Sequence, residues 1–173
     1  MLGEVYELYL TSILDLLISS RQRFRNLVNA LECFHKFVHA EQTLECSRVD
    51  YRRKIQRIKQ HLCQEDKDWL DNKLKGNEIS LKKMILNLMD GTLGKGIMGN
   101  ANTEKLVGDI VNNRNEFTHR CRFIATDDEL VRLNKNLRAI LEVNILGYLG
   151  FSVETISTKF ADPELIRYDL PFL

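Results

Sequence analysis

Arg114 and His119 stand one helical turn and a residue apart in the run Arg114-Asn115-Glu116-Phe117-Thr118-His119. If the substrate is RNA, an arginine, an asparagine and a histidine at that spacing have a purpose in its cleavage. The 2′-hydroxyl of RNA is an internal nucleophile lying beside its own phosphodiester, so no metal ion is required. Imidazole titrates near neutrality, and His119 could take the 2′ proton as general base. The guanidinium of Arg114, always charged and forked, would steady the extra negative charge of a phosphorane-like transition state. Asn115 could orient His119 or the phosphate.

The bare spacing carries little, because with 13 arginines and 4 histidines in 173 positions chance supplies about one match. Requiring an asparagine directly after the arginine lowers that expectation to roughly 0.07. On an ideal helix Asn115 and His119 share a face with Asn112, about 40° apart, whereas Arg114 lies about 140° from His119. Arg114 therefore falls near the apolar side, beside Val107 and Val111, an expensive place for an unpaired charge. Two explanations stand: a structural arginine paired with a carboxylate such as Glu32, or a long side chain reaching around the helix or across a dimer seam. Arg120 and Arg122 flank His119 with only Glu116 opposing, and Arg52 and Arg53 in the basic stretch from Arg48 to His61 offer further phosphate contacts. A solvated basic face is the competing reading of that stretch.

Two other constellations point elsewhere. Gly94-Lys95-Gly96-Ile97-Met98-Gly99 has the GxGxxG form of a pyrophosphate-binding turn, but it follows an amphipathic helical segment, Lys82 to Met89, rather than a strand. It reads as a flexible loop, with Lys95 available to an RNA phosphate. Cys33, His35, His39, Cys46, His61 and Cys63 are the right ligand types for zinc, yet they lack the paired knuckles of a structural site. Neither a metal nor a cofactor is expected.

These side chains must be positioned by helices. Two prolines and nine glycines, with 44% hydrophobic and 28% charged residues, suit an all-α domain. The helical period predicts helices over about 3–19, 22–45, 48–61, 65–74, 79–89, 103–122, 127–147 or 150, and 152–160. In the second, Phe24, Leu27, Leu31, Phe34 and Val38 form one apolar stripe. In the third, Val49, Ile55, Ile58 and Leu62 are expected to face inward. Thr126-Asp127-Asp128-Glu129 has the form of a capping box opening the long penultimate helix. The 25 basic residues nearly cancel the 24 acidic ones, so any RNA site must be a local patch rather than a property of the whole surface. The apolar stretch Leu8 to Ile18 is broken by Asp15 and is too short to span a membrane. Four cysteines without a signal peptide read as reduced thiols in a cytoplasmic protein. Residues 1–173 read as one domain, and a helical pattern already running at Val5 suggests the C-terminal fragment of a longer protein.

The R-N-x-x-x-H segment late in a helical domain resembles the HEPN superfamily, and particularly its ApeA-like branch of anti-phage proteins. A second anchor is Leu27-Val28-Asn29-Ala30-Leu31-Glu32-Cys33-Phe34-His35, similar to an "ALE-x-x-H" phrase of that branch, and Asp109-Ile110-Val111-Asn112-Asn113 leads into the motif. The resemblance covers about residues 20–150. It implies a HEPN-like bundle of four to five main helices plus short ones, and a homodimer that brings two motifs to one cleft. It further implies metal-independent endoribonuclease activity leaving a 2′,3′-cyclic phosphate, with His119 as base, Arg114 as stabiliser, Asn115 as positioning residue, and Glu32 and His35 behind them. A role in phage defence or abortive infection under an N-terminal sensor domain would follow. One departure is Cys121, where HEPN toxins regulated by a nucleotidyltransferase often carry Tyr. The alternative is a non-catalytic helical module that binds RNA or dimerises.

Overall fold

The computed structural model describes residues 2–74, 76–90 and 103–161, and among these it is all-helical. The order is α1 (Leu2–Leu14), α2 (Ser20–Val38), a 3-10 turn (Ala40–Gln42), α3 (Arg48–Lys59), α4 (Gln64–Lys73), α5 (Leu81–Asp90), α6 (Thr103–Arg120), α7 (Asp127–Tyr148) and α8 (Val153–Ala161). Gly91 to Asn100, with Lys95, and the Pro-containing tail lie outside the described residues.

Short polar side chains set most of the helix starts. Ser19, Ser47, Ser80 and Ser152 each accept from the backbone N–H three residues on, at 3.2, 3.0, 3.3 and 3.2 Å. Each satisfies an amide that has no intrahelical partner. These caps move several predicted starts by one to three residues: α2 begins at Ser20, α5 at Leu81 and α8 at Val153. Thr126 and Glu129 form the expected reciprocal box before α7. Helix ends are set by local competition for the backbone. α1 stops at Leu14 rather than near residue 19, because Asp15 Oδ1 accepts from Leu17 N at 2.9 Å and draws the chain into a turn.

α2 is the central helix. Phe24, Leu27, Val28, Ala30, Leu31 and Phe34 are buried along it, with α1 and α7 as its main neighbours and α5 nearby. α7 runs parallel to α2: Asn134 Nδ2 donates to Ser20 O at 2.9 Å near one end, and Tyr148 meets Phe34 edge-on at the other. α7 contributes Leu130, Leu133, Leu137, Ile140, Leu141 and Ile145 to the same core, and α6 adds Val107 and Ile110. α6 runs antiparallel to α2, with Arg114 near Glu32 and Phe117 near Arg25.

Two expectations are corrected. α2 ends at Val38, seven residues early, and Val38 is 37% exposed at the end of its stripe. Beyond it the chain pairs with residues far along: Ile79 N donates to Thr43 O at 2.9 Å and Glu45 N to Asn77 O at 3.0 Å. That antiparallel bridge ties off the segment carrying α3 and α4, and neither helix packs extensively on the bundle. Consequently α3 has no buried residue, and its presumed inner positions Val49 and Ile58 are 57% and 50% exposed. Their apolar spacing is real, but nothing among the described residues covers them.

Candidate active site

α6 is unbroken from Thr103 to Arg120, so the whole Arg114 to His119 run is helical. Its angular geometry follows directly. Arg114 points toward α2, where its Nη2 donates to Glu32 Oε1 at 3.3 Å. Its Nη1 donates to Asn115 Oδ1 at 3.4 Å. Side-chain exposures of 37% for Arg114 and 21% for Glu32 leave the pair partly open to solvent. Asn115 and His119 are exposed, one turn apart. Glu32, Arg114 and Asn115 thus form a contiguous chain of contacts, and His119 stands outside it.

His35 has a different setting. It is fully buried, its Nε2 lies 3.2 Å from Asn87 Nδ2 of α5, and its ring faces His39 at 4.9 Å. An amide N–H donating to Nε2 puts the ring proton on Nδ1, which is buried without a hydrogen-bond partner. Burial, with the neighbouring His39, pushes the His35 pKa down to about 4. The imidazole is therefore neutral at physiological pH.

The basic residues around the motif are not free charges. Glu116 binds both Arg120 Nη1, at 3.1 Å, and Arg122 Nε, at 2.8 Å. The hydrogen bond from Arg122, with the two guanidinium charges, holds the Glu116 carboxyl below its ordinary range. Each arginine retains further N–H donors for an anion. Arg52 and Arg53 are exposed on α3, with Arg53 near Asp50 at 3.6 Å. Among the described residues no group of three or more His, Cys, Asp or Glu side chains is placed to hold a metal ion. Cys33, Cys46, Cys63 and Cys121 are free thiols. No helix among the described residues is long and apolar enough to cross a membrane.

Beside Arg114, between α2 and α6, lies a groove of about 330 Å³. Arg25, Asn29, Arg114, Phe117, Thr118 and Cys121 line it. The guanidinium carbon of Arg25 sits 4.3 Å from the centroid of the Phe117 ring, and Phe117 in turn lies 5.1 Å from Phe123. The sequence alone discloses no role for Phe117, Arg25 or Asn29. The spacing of Arg25 and Asn29 on α2, four residues apart, places them on one face, but nothing in one sequence says which helix covers that face.

The sequence marks Asn113 only as part of the run leading into the motif. Buried at 4% exposure, its Oδ1 accepts from both Ile124 N, at 3.0 Å, and Ala125 N, at 2.8 Å. Its Nδ2 donates to Asp109 O at 2.8 Å. The side chain therefore fixes how the chain turns from α6 to α7, directly after the motif. Between them Cys121 takes φ of +53°, a left-handed conformation that ends α6.

No curated protein and no solved structure matches the chain. The family model described as Apea-like HEPN matches residues 25–155, which takes in the α2 anchor, the Arg114 to His119 motif and α7. The chain belongs to the Apea-like HEPN family.

Proposed function

We propose that the chain is a metal-independent endoribonuclease acting in anti-phage or abortive-infection defence. HEPN domains are generally of ribonuclease type, and the branch is one of anti-phage systems. The observation that carries the finer reading is the setting of Arg114. Glu32 and Asn115 aim its guanidinium, it stays partly open to solvent, and an exposed His119 lies one turn beyond Asn115.

His119 removes the 2′ proton, and the 2′ oxygen attacks the adjacent phosphorus. The bond from phosphorus to the 5′ oxygen breaks, and that oxygen takes a proton from water. The products are a 2′,3′-cyclic phosphate and a 5′-hydroxyl. Arg114 carries the extra phosphoryl charge and Asn115 positions the phosphate or His119. Arg114 and His119 project about 140° apart on one helix, so a two-fold homodimer would complete the site, with Arg114 of one copy serving His119 of the other. Arg120 and Arg122, with Arg52, Arg53 and Lys95, would guide the RNA backbone, and a sensor domain preceding this one would control the cut.

The pair between Arg114 and Glu32 also supports a second reading, a non-catalytic module in which Arg114 only joins α6 to α2. The test is cleavage of a mixed RNA pool in EDTA by the native chain and by His119→Ala, with product ends examined. Cyclic-phosphate ends from the native chain, lost in His119→Ala without a change in folding, are expected. An intact chain that leaves the pool uncut at dimer-forming concentrations would favour the module.

A further inference from the structure

We infer that the groove between α2 and α6 is a nucleotide subsite, which holds the base and phosphate next to the bond being cut. The inference rests on the ribonuclease reading and adds to it the residues that grip and read a neighbouring nucleotide. At about 330 Å³ the groove is large enough for one nucleotide and small for anything bigger. Its lining supplies three recognition elements.

The first is a stacking surface. Arg25 is exposed, and its guanidinium lies over the Phe117 ring at 4.3 Å, which in turn rests against Phe123. A guanidinium seated over an aromatic ring can also receive a stacked base, a platform typical of single-stranded RNA recognition. Gln22 Oε1 accepts from Arg25 Nη1 at 3.2 Å and restrains the side chain further.

The second is phosphate binding. Arg25 and Arg114 both line the groove, so two arginines border one small space. Glu32 engages only Nη2 of Arg114 and Asn115 only Nη1, which leaves N–H donors for a phosphate. Since Arg114 is also the proposed stabiliser of the reacting phosphoryl group, the groove opens directly onto the reacting phosphate. The third is Asn29, exposed on α2 four residues after Arg25. A side-chain amide presents a donor and an acceptor together and can distinguish base edges. Charge complementarity selects the ligand class, because the lining contains two arginines and no carboxylate.

Binding of short single-stranded homopolymers of A, C and U to the full chain tests this, in a His119→Ala background that keeps the RNA intact. Arg25→Lys keeps the charge and loses the plane. It should weaken all three by about tenfold, in line with the loss of one stacked base. Asn29→Ala should narrow the differences among the three. Thermal midpoints of both variants should match the parent, since both side chains are on the surface. Unchanged affinities in both variants, or no RNA bound by the parent at all, would overturn the subsite. The nuclease reading is judged separately by cleavage. RNA cut by the native chain with Arg25→Lys and Asn29→Ala binding as the parent does would sink the subsite alone. Binding that depends on Arg25 in a chain that never cuts would sink the nuclease alone.

Discussion

Glu32 Oε1 accepts from Arg114 Nη2 at 3.3 Å, which joins α2 to the Arg114 to His119 run of α6 across 82 positions of sequence. Neither side chain is deeply buried, at 21% and 37% exposure, so the pair contributes at most about 1 kcal/mol to folding. Its larger effect should be on aim. Glu32→Ala is expected to lower kcat about tenfold with KM nearly constant, since a free guanidinium loses its fixed orientation. Glu32→Gln retains an acceptor and should recover much of that loss. If activity and thermal stability fell together in both variants, Glu32 would be structural and nothing more.

Asn113 holds two backbone amides with one oxygen at the turn into α7. Asn113→Ala leaves the N–H groups of Ile124 and Ala125 without a partner in a part-buried turn, a cost of about 2 kcal/mol. Asn112→Ala, next to it on the exposed side, should change stability by no more than about 0.5 kcal/mol. Urea denaturation of the two variants measures the difference. Equal stabilities would mean that water replaces the Asn113 oxygen at no cost.

The helical class and most element positions were legible because the signals are local. The Thr126 to Glu129 box and the Phe24, Leu27, Leu31, Phe34 stripe each specify their own helix. The same period misled over Val49 and Ile58, because apolar spacing shows that a face could be covered and not that something covers it. Arg114 was readable as a charge needing a partner from its place beside Val107 and Val111, and Glu32 fills that role. The groove was not readable. Arg25, Asn29 and Phe117 come from antiparallel helices whose relative register is set by packing throughout the core, and one sequence carries no record of that register.

His35 gives the fold a dependence on pH. Its folded pKa, about 4, lies below the ordinary value of 6.5, so the unfolded chain binds the extra proton first as pH falls. The neutral ring therefore stabilises the fold fully above about pH 6.5, and this contribution is lost as pH drops toward 4. Between pH 7 and pH 5 the loss should reach about 2 kcal/mol. His35→Gln removes the titrating group, and its stability should vary less over the same interval. Parallel curves for the two proteins in chemical denaturation would show that another group is responsible.

Cys121 ends α6 at φ of +53°, where a side chain with a Cβ is strained by roughly 1 kcal/mol. Glycine has no such penalty, although it gains entropy in the unfolded chain that offsets part of the benefit. Cys121→Gly should therefore be more stable than Cys121→Ala by about 0.5 kcal/mol, since alanine removes the thiol and keeps the Cβ. Comparing these two separates backbone strain from loss of the sulfur. Thermal unfolding resolves a difference of that size as a rise of about 1–2 °C in Tm. Should alanine equal glycine, the left-handed turn at Cys121 would carry no strain in solution. The hydrogen bond from Cys121 N to Phe117 O, at 2.9 Å, would then hold a conformation that costs the chain nothing.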